Sequence, residues 1–290
     1  PYLFNLNESL LINYKIPPIK FAWWQHAIDW LQYDWVFGLL NKSEFTEKNR
    51  FFIYHRYSIN KNNFRIGFSE AVLSAYEDWG AREMEYLLPS NLLLETEANG
   101  TFNTNLIWLI DVMYKVNKYT LYSEIMIDDF AIDGKTPPQI AGIIGLGAKY
   151  NKLLFNIEYT RINRWVGNHC DQKNIFIDNN IPIGNSIGPN AHKILIDSKF
   201  LLNDKISINI LFDYVEHADG SPYNRLVESW PVGIGCDENF GYDHERFFLK
   251  DKNIDFYYHS KLIYRIKNNI LMNLLINNQT EYFFNITLRI

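Results

Sequence analysis

An all-β fold, an antiparallel transmembrane β-barrel, is what three features of this chain predict. Many segments alternate apolar and polar residues with period two, which on a strand gives one apolar and one polar face. Aromatic residues make up 16% of the 290 residues, with 19 Tyr, 20 Phe and 8 Trp. That content suits half-buried pleated surfaces and aromatic girdles at two membrane interfaces. The connections also come in two kinds, tight turns rich in Asn and Lys and much longer loops. A barrel with short turns on one rim and long loops on the other produces this pattern.

The remaining bulk properties narrow the class. No run of about 18 apolar residues occurs, so a transmembrane helix is not predicted. The net charge of -5 offers no basic footprint for nucleic acid. Chain start at Pro1, with no initiator Met and no leader, reads as processed or truncated. Cys170 and Cys236 lack metal-type spacing and fall in loop-like stretches; a disulfide and two free thiols both remain open.

In chain order, Leu3 to Tyr14 reads as a strand that Pro17-Pro18 ends, since proline cannot donate to a ladder. Phe21 to Ala27 reads as an aromatic connector. Ile28 to Leu39, Phe51 to Ile59 and Phe64 to Leu73 are predicted strands; in the last, Phe64, Ile66 and Phe68 oppose Arg65, Gly67 and Ser69. Ala81 to Leu88 is the one good helix candidate, interrupted by Pro89. Strands follow over Asn105 to Val116, Tyr119 to Ile127, Gln139 to Lys149, Leu153 to Arg161, Lys193 to Leu202 and Ile206 to Tyr214. Ile254 to Ile266, Ile270 to Ile276 and Tyr282 to Ile290 complete about 13 strands.

The tight turns are Asn60 to Asn63, Asn117-Lys118, Tyr150 to Lys152, Asn203 to Lys205 and Lys267 to Asn269; long loops separate them. Soluble β-sandwiches, the alternative fold, have turns at both ends without this parity. If the short turns are periplasmic, the Tyr282 strand runs inward, with Tyr282 toward lipid and Asn285, Thr287 and Arg289 toward the lumen. Counting back places Pro1 at the opposite rim, whereas an even-stranded barrel puts both ends on one side. On that count the chain reads as a single domain, 1–290, and as the C-terminal part of a larger barrel.

Several motifs together carry a resemblance. Leu121 to Asp129, Glu158-Tyr159-Thr160-Arg161 and Pro182 to Ala191 resemble the Wzi-type capsule assembly family, and Tyr54-His55-Arg56 before Gly67 to Ala71 is similar too. The likeness covers roughly residues 28 to 220, by order and spacing more than by any one motif. It implies a bacterial outer-membrane β-barrel that holds capsular or other surface polysaccharide at the cell exterior, without catalysis. Family members are longer, with further N-terminal strands and periplasmic helices. This chain also departs from outer-membrane proteins that end in Phe, finishing on Ile290. The implied partners are polysaccharide and outer-membrane lipid.

Candidate chemistry is read against structural roles. Gly184-Asn185-Ser186-Ile187-Gly188 matches the nucleophile-elbow pattern, but Pro189 follows and no α/β alternation exists, so a loop turn is preferred over a catalytic Ser186. His169, His217 and His244 fall in outer loops near Asp171, Asp219 and Asp243, with spacings that fit no metal motif. No cofactor or metal is expected. Arg65, Glu124, Asp128 and Glu158 are predicted to face the lumen, where paired charges fill small barrels. Trp79, Trp165, Tyr223, Trp230 and Tyr242 are candidate sugar platforms, because a flat ring with a polar handle suits sugar C–H faces; the same rings equally suit loop packing or a girdle. A porin-like diffusion channel and an outer-membrane hydrolase are the functional alternatives.

Overall fold

The computed structural model describes residues 22–28, 30–40, 45–46, 49–75, 104–129, 139–169, 171–178, 181–203, 205–227, 252–267, 270–277 and 282–288. Its strands are β1 (Ala22–Ile28), β2 (Leu31–Leu40), β3 (Arg50–Lys61), β4 (Phe64–Ala75), β5 (Asn105–Val116), β6 (Tyr119–Asp129), β7 (Gln139–Tyr150) and β8 (Leu153–Ile162). There follow β9 (Ile177–Asp178), β10 (Ile181–Pro182), β11 (Ala191–Leu201), β12 (Ile206–Ala218), β13 (Lys252–Lys267), β14 (Ile270–Asn277) and β15 (Tyr282–Leu288). Apart from the small β9–β10 hairpin, they form one 13-stranded sheet in which every strand pairs antiparallel with its neighbour in the order of the chain. No ladder among the described residues joins β1 to β15.

One expectation is sharpened. The aromatic connector Phe21 to Ala27, whose form the sequence leaves open, is largely strand: Ala22–Ile28 pairs in register with β2, from Ala22 opposite Phe37 to Ile28 opposite Leu31. Two adjacent tryptophans, Trp23 and Trp24, obscure period two there, yet the backbone hydrogen bonds with β2 do not need alternation. β1 adds a strand to the count that put Pro1 at the opposite rim, and Leu3 to Tyr14, on which that count also rests, lies outside the described residues. The Ala81 to Leu88 helix candidate and both cysteines lie outside them as well.

The tight turns share one rim. Backbone hydrogen bonds run from Asn60 N to Trp30 O at 2.7 Å, Lys115 N to Asn63 O at 2.7 Å, Lys149 N to Lys118 O at 2.8 Å and Leu201 N to Lys152 O at 2.7 Å, each linking one turn to the next. Asn62, Asn117 and Asn151 in these turns have φ of 53°, 50° and 46°. Asn tolerates this left-handed conformation better than other residues with a side chain, which explains the Asn-rich composition.

The register separates two faces. Phe64, Ile66 and Phe68 of β4, Ile110 and Tyr114 of β5, Leu121 and Ile125 of β6, Ile144 and Leu146 of β7 and Ile157 and Tyr159 of β8 line up across the ladders, and all are exposed. A contiguous exposed apolar band of this kind marks a surface that meets an apolar partner or phase. The opposite, inner face holds a core of Val36, Phe52, Tyr54, Leu73, Leu109, Met126, Ile143 and their neighbours.

Candidate functional site

The inner face carries a buried polar belt inside the apolar core. Arg56 Nη2 donates to both carboxylate oxygens of Asp111, at 2.9 and 2.8 Å, and Arg56 Nη1 lies 4.0 Å from Asp34. Arg65 Nη2 adds a contact of 3.4 Å to the same Asp111. The register sets Asp111 opposite Glu124, which is fully buried, and Tyr54 exchanges a 3.0 Å hydrogen bond with Ser69. Gly67 makes this pair sterically feasible. A Cβ there would stand 2.2 Å from Asp111 Oδ2 and 2.6 Å from Arg56 Nη2.

Further along the same face, Tyr122 OH donates to Glu158 Oε2 at 2.9 Å and Asn156 Oδ1 at 3.1 Å, and Thr160 donates to Glu158 Oε1 at 3.3 Å. Arg65, Glu124, Asp128 and Glu158 thus lie on the face opposite the exposed apolar band, each tied into the sheet. Asp128 has a further task. Its Oδ2 accepts from Gly167 N at 2.6 Å, and Gln139, with its amide oriented to donate, reaches Asp128 Oδ2 and Trp165 O, both at 2.7 Å.

Those bonds anchor a cap. The β8–β11 connection, residues 163–190, does not project as an open loop: it folds back over the inner face at the long-loop rim. It carries a 3-10 turn (Gln172–Asn174) and the β9–β10 hairpin. Phe176, 1% exposed, meets Phe52 edge-on at 6.4 Å between centroids, and Val166 and Ile187 join the same core. Asn174 Oδ1 accepts from Ala75 N at 3.0 Å, and Asn105 donates to Asn168 O at 3.2 Å. The fully buried Arg50 donates to Ile175 O at 3.0 Å and also to Ile177 O.

A second clamp comes from the β12–β13 connection. Helix α1 (Pro222–Leu226) begins at Ser221, whose hydroxyl accepts from Asn224 N, with Pro222 in the first turn where its missing N–H costs nothing. From α1, Arg225 donates to Pro189 O at 2.8 Å, Gly220 O at 2.7 Å and Ile187 O, and meets His217 Nδ1 at 2.9 Å. His217 Nε2 in turn lies 3.0 Å from Asp255. Burial pushes the Arg225 guanidinium below its ordinary pKa, and the Asp255 charge opposes that shift. Carbonyl acceptors suit arginine here, because its fork satisfies several at once.

The remaining sequence-predicted residues separate. Trp165 is buried under the cap, with the Arg164 guanidinium 4.6 Å from its ring centre. Tyr223 is half-buried on α1 against Ile175, Ile177 and Leu226, beside the exposed Ser221, Asn224 and Asp219. Trp79, Trp230 and Tyr242 lie outside the described residues, as does His244. The Gly184 to Gly188 segment is a turn, closed by Gly188 N to Asn185 O at 3.1 Å and leading into β11 with no helix. Among the described residues no three His, Cys, Asp or Glu side chains converge as a metal site would require. The void under the cap, lined by Met126, Ile162, Val166, Phe176, Ile183 and Leu226, measures about 30 Å³. The inward cap and its arginine clamps leave no signal in the sequence: Arg50 stands just before the predicted Phe51 to Ile59 strand, and Arg225 lies in a segment without periodicity.

No protein-family model matches the chain, and a search of curated proteins also returns no match. Among solved structures, the chain is similar to Wzi, an outer-membrane protein involved in group 1 capsule assembly in Escherichia coli and described as a carbohydrate-binding β-barrel. Identity is 13% over 88% of this chain and 53% of Wzi, with a TM-score of 0.56. The toluene transporter TodX of Pseudomonas putida shares 12% identity over 89% of this chain and 76% of its own, at a TM-score of 0.34. This chain spans about half the length of Wzi. The likeness to Wzi is one of architecture: a large, all-antiparallel β-sheet of the kind that barrel is built from.

Proposed function

We propose that this protein is a bacterial outer-membrane barrel that binds and retains capsular or other surface polysaccharide, with no catalytic step. The observation that carries this reading is the inward-folded cap. Phe176, Arg50 and the Asp128–Gly167 contact hold the cap against the inner face of β3 and β6 at the long-loop rim, an arrangement that favours an anchor over a diffusion channel. Wzi supports the substrate class, being a carbohydrate-binding barrel of the same architecture. The exposed apolar band supplies the contact with outer-membrane lipid. Polysaccharide then meets the surface of the cap and α1, where Tyr223 offers a ring beside the Asn224 amide, the Ser221 hydroxyl and the Asp219 carboxylate.

The test uses the full chain in detergent and in planar bilayers, with capsular polysaccharide purified from the source cell. Measurable binding with closed bilayers supports retention, and Tyr223→Ala with Asn224→Ala is expected to weaken binding about tenfold at unchanged folding, the loss of one stacking ring and one amide contact. Trp79→Ala, Trp230→Ala and Tyr242→Ala are the parallel variants for the other loops. Steady conductance with no glycan affinity would establish the channel instead.

A further inference from the structure

The short-turn rim is strongly basic. Lys61, Lys115, Lys118, Lys149, Lys152 and Lys205 sit in or beside the tight turns and are exposed, with the half-buried Arg65 and Lys199 just behind them. The sequence adds Arg265 and Lys267 at the β13–β14 connection, against Asp29 and Asp204 as the carboxylates in these turns. Among the described residues none of the six exposed lysines makes an ion pair. The chain as a whole is acidic, at -5, so this excess of cations on one rim is a segregation of charge along the barrel axis.

Its position relative to the apolar band is specific. Tyr114, Tyr119 and Tyr150 stand on the outward face next to these turns and are exposed. Lys118 Nζ lies 4.0 Å from the Tyr150 ring centre and 5.6 Å from that of Tyr119. A ring between an apolar band and a cation is the arrangement of a membrane–water interface, where aromatic belts lie at headgroup depth. Lysine tips there extend past the rings into the headgroup layer.

We infer that this rim is a docking surface for anionic phospholipid headgroups, and that Lys61, Lys118, Lys152 and Lys205 hold their phosphates. Basic residues at a membrane surface each favour an anionic headgroup about fivefold, and the effect decays within a Debye length of about 10 Å at 0.1 M salt. The lysines fall within that distance of the headgroups because the tyrosine belt fixes the depth of the barrel. The inference rests on the membrane-barrel reading and adds a lipid preference to it.

The experiment reconstitutes the full chain in phosphatidylcholine bilayers and measures the relative association of spin-labelled phosphatidylglycerol and phosphatidylcholine. Wild type is expected to prefer phosphatidylglycerol at least fivefold at low salt, and the preference to fall as salt rises. The K61Q/K118Q/K152Q/K205Q variant, altered only at exposed turn positions, is expected to bring the ratio near one while still inserting. Insertion with no preference in wild type, or a preference that survives in the variant, would overturn the docking surface and leave the barrel reading standing. Displacement of phosphatidylglycerol by soluble acidic polysaccharide would reassign the rim to polysaccharide and overturn it too. Failure to insert at all would overturn the barrel reading together with this one.

Discussion

Replacing Asp111 by Ala strands a cation in the inner face. Arg56 is buried, its Nη2 spends both of its short contacts on the Asp111 carboxylate, and the next carboxylate, Asp34, stands at 4.0 Å from Nη1. Removing one partner of a buried ion pair costs about 3–5 kcal/mol, because the other charge stays desolvated. Arg65 also loses its 3.4 Å contact, but its side chain is 28% exposed and water takes over at a cost of about 1 kcal/mol or less. Asp34 recovers part of the Arg56 penalty, so the low end, about 3 kcal/mol, is the expected loss. Urea unfolding of the vesicle-folded protein, followed by tryptophan fluorescence, measures it. The double variant Arg56→Met/Asp111→Leu removes both charges and is expected to fall within about 1 kcal/mol of wild type, since apolar replacements of buried pairs are often neutral or stabilising. A loss below about 1 kcal/mol in Asp111→Ala, or a double variant as unstable as the single, would refute the reasoning.

Two further expectations concern the cap. Phe176→Ala removes an almost fully buried ring that meets Phe52, and a loss of about 3–5 kcal/mol is expected, with bilayer conductance appearing if the cap comes away from the inner face; a stable and still closed variant would mean the cap is held elsewhere. His169 is held neutral: burial lowers its pKa below 6.5, Lys173 adds to the shift and Asp171 opposes it. The unfolded chain therefore takes up the proton first, so the stability from this group is present above about pH 6.5 and is lost as pH falls toward the folded value. Protonation also removes the Nδ1 lone pair that accepts from Asp171 N at 3.0 Å. Melting temperature should fall less between pH 7 and pH 5 in His169→Gln than in wild type; equal slopes would remove His169 from the account.

The strand system was legible because period two and turn chemistry are local. Asn62, Asn117 and Asn151 mark turns by tolerating positive φ, and the alternation of Phe64, Ile66 and Phe68 with Arg65, Gly67 and Ser69 reports two faces before any partner is known. The same locality explains the miss at Ala22–Ile28. There the alternation fails, and the strand exists because β2 presents a complementary ladder. Of the aromatic candidates, Trp165 and Tyr223 had equal claims in the sequence, since loop aromatics carry no periodicity. Their burial was set by where the loop packs, with Trp165 covered and Tyr223 half open.

By itself, then, the sequence determined most of the strands, their faces and the alternation of tight Asn- and Lys-rich turns with long loops. Only the tertiary structure decided that Arg56 meets Asp111, 55 residues away, and that residues 163–190 turn inward under the clamps of Arg50 and Arg225. Alternation fixes which side of a sheet a residue occupies, but a partner is fixed by the register of strands distant in sequence. A loop without periodicity takes its place only where buried carbonyls such as Ile175 O and Pro189 O find donors, and those donors come from strands and a helix far along the chain.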